Sequence, residues 1–247
     1  MGDIQHQRRL GLIGFGAFGR LAAGGLAEHF EVVVHDPAYA RAELADGRHL
    51  TMGSLEEVAR AEIVVIAVPV ARMAHLCGQL APLLQPGAVV VDVGSVKVGP
   101  VATMREALPA HVEIVGTHPL FGPQSFGRAP GQKVAICPVR GRAHLRVAAF
   151  LRACGLRALL TTAEAHDREA AMVQGLTHLI AKVLVEMGPL PERMTTVSFD
   201  LMREAVEMVR HDPPTVLHAI EAANPYAAEV RQRFFAQAAA MRGQFEV

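Results

Sequence analysis

Along the first half of the chain, short unbroken runs of β-branched and aliphatic residues alternate with stretches whose apolar positions recur at helical spacing. The runs are Leu10 to Ile13, Glu31 to Val34, Ile63 to Val68 and Ala88 to Val93. They are continuously apolar rather than alternating, the pattern of strands covered by helices on both faces. The rhythm predicts an α/β fold with a parallel, doubly wound sheet. Val112 to Val115 and Lys133 to Cys137 extend that sheet, and Leu156 to Thr161 offers an edge strand.

From His166 onward the strand pattern stops. Ala170, Val173, Leu176, Leu179, Ile180, Val183 and Leu184 recur at helical spacing up to Gly188 and predict one long helix. Being apolar around much of its circumference, it needs cover on several sides, and a homodimer is the expected source. Asp212-Pro213 reads as an N-cap followed by a proline at the first helical position, and Pro225-Tyr226 opens a final helix through Phe245. The chain is read as two domains, 1–163 with the sheet and 164–247 all helical.

Composition narrows the function classes. The chain has 247 residues, 51% of them hydrophobic, enough for a sizeable core. Lys plus Arg equals Asp plus Glu at 24 each, so no long-range field gathers nucleic acid or anionic membrane. The opening MGDIQHQRRL is polar and basic with no signal-type apolar core, so a cytoplasmic protein is expected. Cys77, Cys137 and Cys154 lack metal-type spacing and are expected to be buried thiols; the histidines show no ligand spacing either, and no metal is expected.

Gly14-Phe15-Gly16-Ala17-Phe18-Gly19 directly follows the first apolar run and precedes a helical one. That is the context of the dinucleotide fingerprint: Gly14 for the tight turn, Gly16 for approach of the pyrophosphate, Gly19 for close packing of helix on strand. The first domain is thus a Rossmann domain. Asp36 lies twenty residues after Gly16 at the end of the second run, where a carboxylate accepts hydrogen bonds from ribose hydroxyls and repels a 2′-phosphate. NAD is expected over NADP, with Arg41 nearby as the residue that weakens the preference. Val68 and Pro69 border the nicotinamide half of the cleft, although Pro69 reads equally as a strand stop.

Gly116-Thr117-His118-Pro119-Leu120-Phe121-Gly122-Pro123 puts a histidine at a strand end, in a loop that proline and glycine constrain. With an ordinary pKa of about 6.5, His118 can take the proton of a hydroxyl that is losing hydride. The plainer reading is a structural loop histidine.

The fingerprint with Asp36, the Ala67-Val68-Pro69 turn, Asp92-Val93-Gly94-Ser95-Val96-Lys97, the GTHPLFGP segment, His166-Asp167 followed by QGLTH, and Phe199-Asp200-Leu201-Met202-Arg203 occur together in one order. In this the chain resembles the prephenate/arogenate dehydrogenases of tyrosine biosynthesis. The resemblance implies oxidation of the ring hydroxyl of a cyclohexadienyl acid with loss of carbon dioxide. His118 would then remove the hydroxyl proton and Ser95 would hold the hydroxyl. His178 would line the substrate pocket and Arg203 would clamp a carboxylate, a task suited to its planar fork.

Each role has a structural rival. His178 reads also as a core histidine bonded to a carbonyl, Arg203 as a surface ion pair, and His166-Asp167 as the cap of the long helix. Lys97 is left without a role. The chain has no tryptophan, where the family often carries one after the Asp-Pro step. Prephenate is the expected substrate, with arogenate as the alternative. A β-hydroxyacid dehydrogenase, an imine reductase or a noncatalytic NAD-binding sensor would share the first domain.

Overall fold

The computed structural model describes residues 8–245; MGDIQHQ, most of the polar opening segment, lies outside them. The chain divides into two compact units, Met1–Ala163 and Glu164–Val247.

The strands of the first unit are β1 (Arg9–Ile13), β2 (Glu31–His35), β3 (Ala42–Glu43), β4 (His49–Met52), β5 (Ile63–Ile66), β6 (Val89–Asp92), β7 (Glu113–Pro119), β8 (Lys133–Arg140) and β9 (Arg157–Leu160). Its helices are α1 (Ala17–Leu26), α2 (Leu55–Ala59), α3 (Met73–Leu80), α4 (Val98–Ala107) and α5 (Ala143–Ala153). The strands form one sheet in the order β3-β4-β2-β1-β5-β6-β7-β8-β9. From β4 to β7 the neighbours run parallel, β8 returns antiparallel to β7, and β9 runs parallel to β8 as the edge. The hairpin of β3 and β4 is an addition to the expected fold.

Alternation of side chains across the pleat explains why the strands read as unbroken apolar runs. Ile13, Val33, Val64, Ile66, Val90 and Ile114 pack one face against Val58, Leu76, Leu80 and Met104 of α2, α3 and α4. Leu10, Leu12, Val32, Val34, Val65, Val89 and Val91 pack the other against Ala23 of α1 and Ala148 of α5. Each large side chain so buried contributes about 1.5–3 kcal/mol relative to exposure. The chain winds outward from β1 to β2 and β4, then crosses back to β5, and this reversal opens a crevice at the carboxyl ends of β1 and β5. Cys77 and Cys137 are buried; Cys154 is exposed, because it caps the end of α5 rather than facing the sheet.

The second unit is helical: α6 (Ala163–Ala170), which begins at the boundary, a π turn (Ala171–Gly175), α7 (Leu176–Glu186), α8 (Val197–Val209), α9 (Pro214–His218), a second π turn (Ala219–Ala223) and α10 (Ala227–Phe245). The expected long helix is present, but its buried face differs from the one read from spacing. Ala170, Ala171, His178 and Ala181 are buried, whereas Val173 and Val183 are 70% and 44% exposed. The π turn inserts one residue and so rotates everything after it against the stripe. Pro213, not Asp212, occupies the N-cap of α9, and Pro214 is its first residue.

Candidate functional site

At the glycine turn each glycine has a distinct reason. Gly14 sits at φ +100°, and a Cβ there would lie 2.5 Å from the Ala67 carbonyl oxygen. A Cβ on Gly19 would lie 2.2 Å from the Gly14 carbonyl oxygen, so α1 packs on the turn through bare backbone. A Cβ on Gly16 would meet nothing within 4 Å: its backbone faces open space. Gly16 is also the N-cap of α1 and supplies no side chain, which leaves the first-turn N–H groups of α1, beginning at Ala17, for an anion. These features suit a pyrophosphate.

Asp36 pins this turn to the end of β2. Its Oδ2 accepts from the Phe15 N–H at 2.7 Å and its Oδ1 from the Ala38 N–H at 2.9 Å. Each oxygen keeps a second lone pair, so the carboxylate can still accept from a ribose hydroxyl. The Phe15 ring is buried, edge-on to Tyr39 at 5.8 Å. Phe18, on the first turn of α1, packs against Phe121 at 6.4 Å. Across the crevice β5 ends at Ile66, Val68 packs onto the core, and Pro69 caps a short 3-10 turn, Val70–Arg72. Its role as a strand stop is therefore visible, and it does not conflict with a place at the cleft wall.

His118 requires a correction. It belongs to β7 rather than to a loop: Thr117, His118 and Pro119 pair with Ile136, Ala135 and Val134 of β8. The parallel pairing of β6 with β7 stops at Asp92 and Gly116, so the last three residues of β7 overhang β6 while the antiparallel partner holds them. The histidine is 4% exposed. Ser95 lies three residues past the end of β6, in the turn before α4, half-buried.

Behind these two residues is a buried polar network that sequence reasoning missed. Lys97 is fully buried and Asp92 is 1% exposed. The Lys97 ammonium pairs with Asp92 Oδ2 and donates to the Thr117 carbonyl at 2.6 Å. Thr117 Oγ1 donates to the Asp92 carbonyl at 2.6 Å, and the Gly94 N–H donates to Asp92 Oδ2 at 3.0 Å. Burial pushes the Asp92 carboxyl above its ordinary value, opposed by the Lys97 charge and these hydrogen bonds. A lysine inside an apolar turn was the only signal in the sequence.

The second unit holds His178 and Arg203. His178 is buried, with Nδ1 at 2.9 Å from the Gln174 carbonyl and Nε2 at 3.0 Å from Asp212 Oδ2. Burial works against its charge, but the hydrogen bonds to Asp212 and Gln174 and the charges of Asp212 and Glu221 outweigh it and raise its pKa. The carboxylate expected to cap α9 thus serves His178. Arg203, on α8, reaches Glu192 at 3.4 Å and Asp200 at 3.7 Å, with its side chain 32% exposed. His166 and Asp167 do not cap the long helix, which starts at Ala163; they form a buried pair at 2.7 Å in its second turn, and Asn224 Nδ2 donates to the Asp167 carbonyl at 2.8 Å.

A large apolar cavity of about 1060 Å³ lies on the α1 and α5 face of the first unit, walled by Phe18, Leu21, Val89, Val91, Val147 and Phe150. Neither the glycine turn's Gly14 to Gly16, nor Asp36, nor His118 lines it. Among the described residues no cluster of His, Cys, Asp and Glu could hold a metal ion, and no helix is long and apolar enough to cross a membrane.

A glycine turn at the crevice of a doubly wound sheet, followed by a helical unit, defines the chain as a two-unit Rossmann-type protein with a dinucleotide site. Residues 30–140 match the family model described as the prephenate dehydrogenase nucleotide-binding domain. The chain is 32% identical to a cyclohexadienyl dehydrogenase of Zymomonas mobilis over 57% of its own length and 51% of the relative's. It is 28% identical to a 4-amino-4-deoxyprephenate dehydrogenase of Streptomyces pristinaespiralis over 89% of its length and 78% of the relative's. Its fold matches prephenate dehydrogenase from Aquifex aeolicus, solved with hydroxyphenyl propionate and NAD+, at a TM-score of 0.73 and 19% identity, covering 96% of this chain and 90% of that one. In its nucleotide-binding part the chain is similar to the prephenate and arogenate dehydrogenases. It spans about half the length of the first curated relatives it matches.

Proposed function

We propose that this protein is an NAD-dependent dehydrogenase of tyrosine biosynthesis that oxidatively decarboxylates prephenate to 4-hydroxyphenylpyruvate, with arogenate as the alternative substrate. The observation that carries the reading is a buried histidine on the overhang of β7, beside the Ser95 turn, in the same unit as a glycine turn open to a pyrophosphate.

Gly14, Phe15, Gly16, Ala17, Phe18 and Gly19 form the phosphate turn, Asp36 takes the ribose, and Val68 with Pro69 walls the nicotinamide end. NAD, when bound, supplies the hydride acceptor. Ser95 holds the ring hydroxyl, and His118 takes its proton as that carbon is oxidised. The electron pair of the bond to the ring carboxylate then enters the ring, which becomes aromatic as carbon dioxide leaves. Arg203 binds a substrate carboxylate by exchanging its partners, the exposed Glu192 and the half-exposed Asp200, which hold it weakly. His178, whose protonated form is favoured by its hydrogen bonds to Asp212 and Gln174, is the second group offered to the acid, although direct contact requires it to leave Asp212 or Gln174. The exposed Val173, Met187, Val197 and Leu201 of the helical unit support a homodimer.

Arginine and histidine near the substrate recognise carboxylates and do not by themselves separate a keto from an amino side chain, and the relatives carry names with different substrates. The test is reduced-nicotinamide formation by the purified protein with NAD or NADP and each of prephenate, arogenate and 4-amino-4-deoxyprephenate. NADH formation from prephenate with release of carbon dioxide is expected. Faster turnover of arogenate establishes the alternative, and no turnover of any pairing sinks the dehydrogenase reading in favour of a nucleotide-binding sensor.

A further inference from the structure

The notable feature left over by the reaction is a lysine with no exposure at all, set in the turn that carries Ser95. Burying an ammonium and a carboxylate is costly, and apolar residues of the same volume would stabilise the fold as well. An apolar pair could not, however, tie a turn to a strand. We infer that Asp92, Lys97 and Thr117 are positioning residues that fix His118 relative to Ser95; the inference rests on the roles proposed above for those two.

The connections run to both sides of each residue. Ser95 is bracketed by Gly94, whose N–H is held by Asp92 at 3.0 Å, and by Lys97, whose ammonium is held by Asp92 and the Thr117 carbonyl. Thr117 is bonded at both its carbonyl and its hydroxyl, the latter to the Asp92 carbonyl at 2.6 Å, and His118 is the next residue along β7. The ladder between β6 and β7 ends at Asp92 and Gly116, so beyond that point the network replaces backbone pairing on this side. At Gly116 the strand packs closely on α4: a Cβ there would stand 3.0 Å from Val101 Cγ2. The Ser95 turn and the His118 strand end therefore cannot shift independently.

Three variants separate positioning from mere support. Thr117→Val keeps the volume and loses only the hydroxyl bond, Thr117→Ser restores that bond, and Asp92→Asn with Lys97→Met removes both charges together. With the full-length protein, well below each variant's melting temperature, Thr117→Val and the double variant are expected to lower kcat roughly tenfold or more while KM for NAD and acid stays within about twofold. Thr117→Ser is expected to recover most of the loss. In parallel, the His118 ring resonance, identified by its loss in His118→Asn, is expected to shift or broaden in Thr117→Val and remain sharp in the wild type.

Unchanged kcat in Thr117→Val overturns the inference, whether or not the double variant folds. If the wild type turns over none of the acids, the proposed function fails and the resonance decides: an unaltered His118 signal in Thr117→Val overturns positioning, and an altered one upholds it without reference to the reaction.

Discussion

The two units hold their candidate polar residues in opposite ways. In the first, Asp92, Lys97 and Thr117 are sealed from water, and each is bonded to groups on the neighbouring strand or turn. In the second, Arg203 is a third exposed and faces Glu192, whose side chain is 81% exposed, while His178 spends both ring nitrogens on Asp212 and Gln174. Apolar side chains repeat the contrast: the sheet buries its valines and isoleucines, but Met194, Val197 and Leu201 stand 89%, 78% and 62% exposed. The first unit fixes its polar groups before anything binds. In the second, where the proposed function puts the acid's carboxylate, the partners of Arg203 can be exchanged.

The contrast can be broken most severely at Lys97. Lys97→Met alone leaves the Asp92 carboxyl buried without its cation, at an expected cost of about 3–5 kcal/mol in denaturant unfolding, whereas the neutral pair Asp92→Asn/Lys97→Met regains most of it. At Gly14, alanine is expected to cost about 2–3 kcal/mol and to abolish NAD binding by calorimetry, since it adds left-handed strain to a 2.5 Å approach to the Ala67 carbonyl. Arg203→Leu is expected to raise KM for the acid roughly tenfold to a hundredfold while changing stability by less than about 1 kcal/mol, because its present partners are solvent-screened. An equal loss of stability in Arg203→Leu and Lys97→Met would erase the distinction between the units.

The smallest effect is the dependence of stability on pH through His178. Its pKa is raised in the folded chain by Asp212, Gln174 and Glu221 against the pull of burial. Its contribution is therefore fully present below the unfolded value of about 6.5 and is lost as pH rises through the folded one. Urea titrations across that window are expected to show the slope in the wild type and a flatter one in Asp212→Asn. A slope unchanged by Asp212→Asn would mean that the raised pKa has another source.

What the sequence disclosed and concealed follows from the range of the interactions involved. The glycine turn, the strands around it and Asp36 were legible because their constraints are local: a positive φ at Gly14 and a helix start at Ala17. The overhang of β7 was not, since Thr117 and His118 become strand only through β8, which pairs with them from residues 134–136. Lys97 likewise stayed ambiguous until the β6 and β7 register set Asp92 opposite Gly116. Asp212 was mistaken for a cap because its partner is 34 residues away on another helix. The π turn at Ala171–Gly175 has no compositional mark, and it moved the buried stripe of the long helix onto Ala171, His178 and Ala181. The hairpin of β3 and β4 could have been read from Asp46-Gly47, whose φ is +82° and whose carboxylate accepts from the Arg48 N–H.

The central claim is that cofactor binding and proton removal are separate tasks of the first unit, the second resting on His118. The most direct measurement compares wild type and His118→Asn for NAD affinity by calorimetry and for turnover of prephenate and arogenate. The predicted result is NAD affinity within about twofold and turnover lowered about 10²–10⁴-fold. Turnover retained in His118→Asn would contradict the account, and so would loss of NAD binding in step with loss of activity.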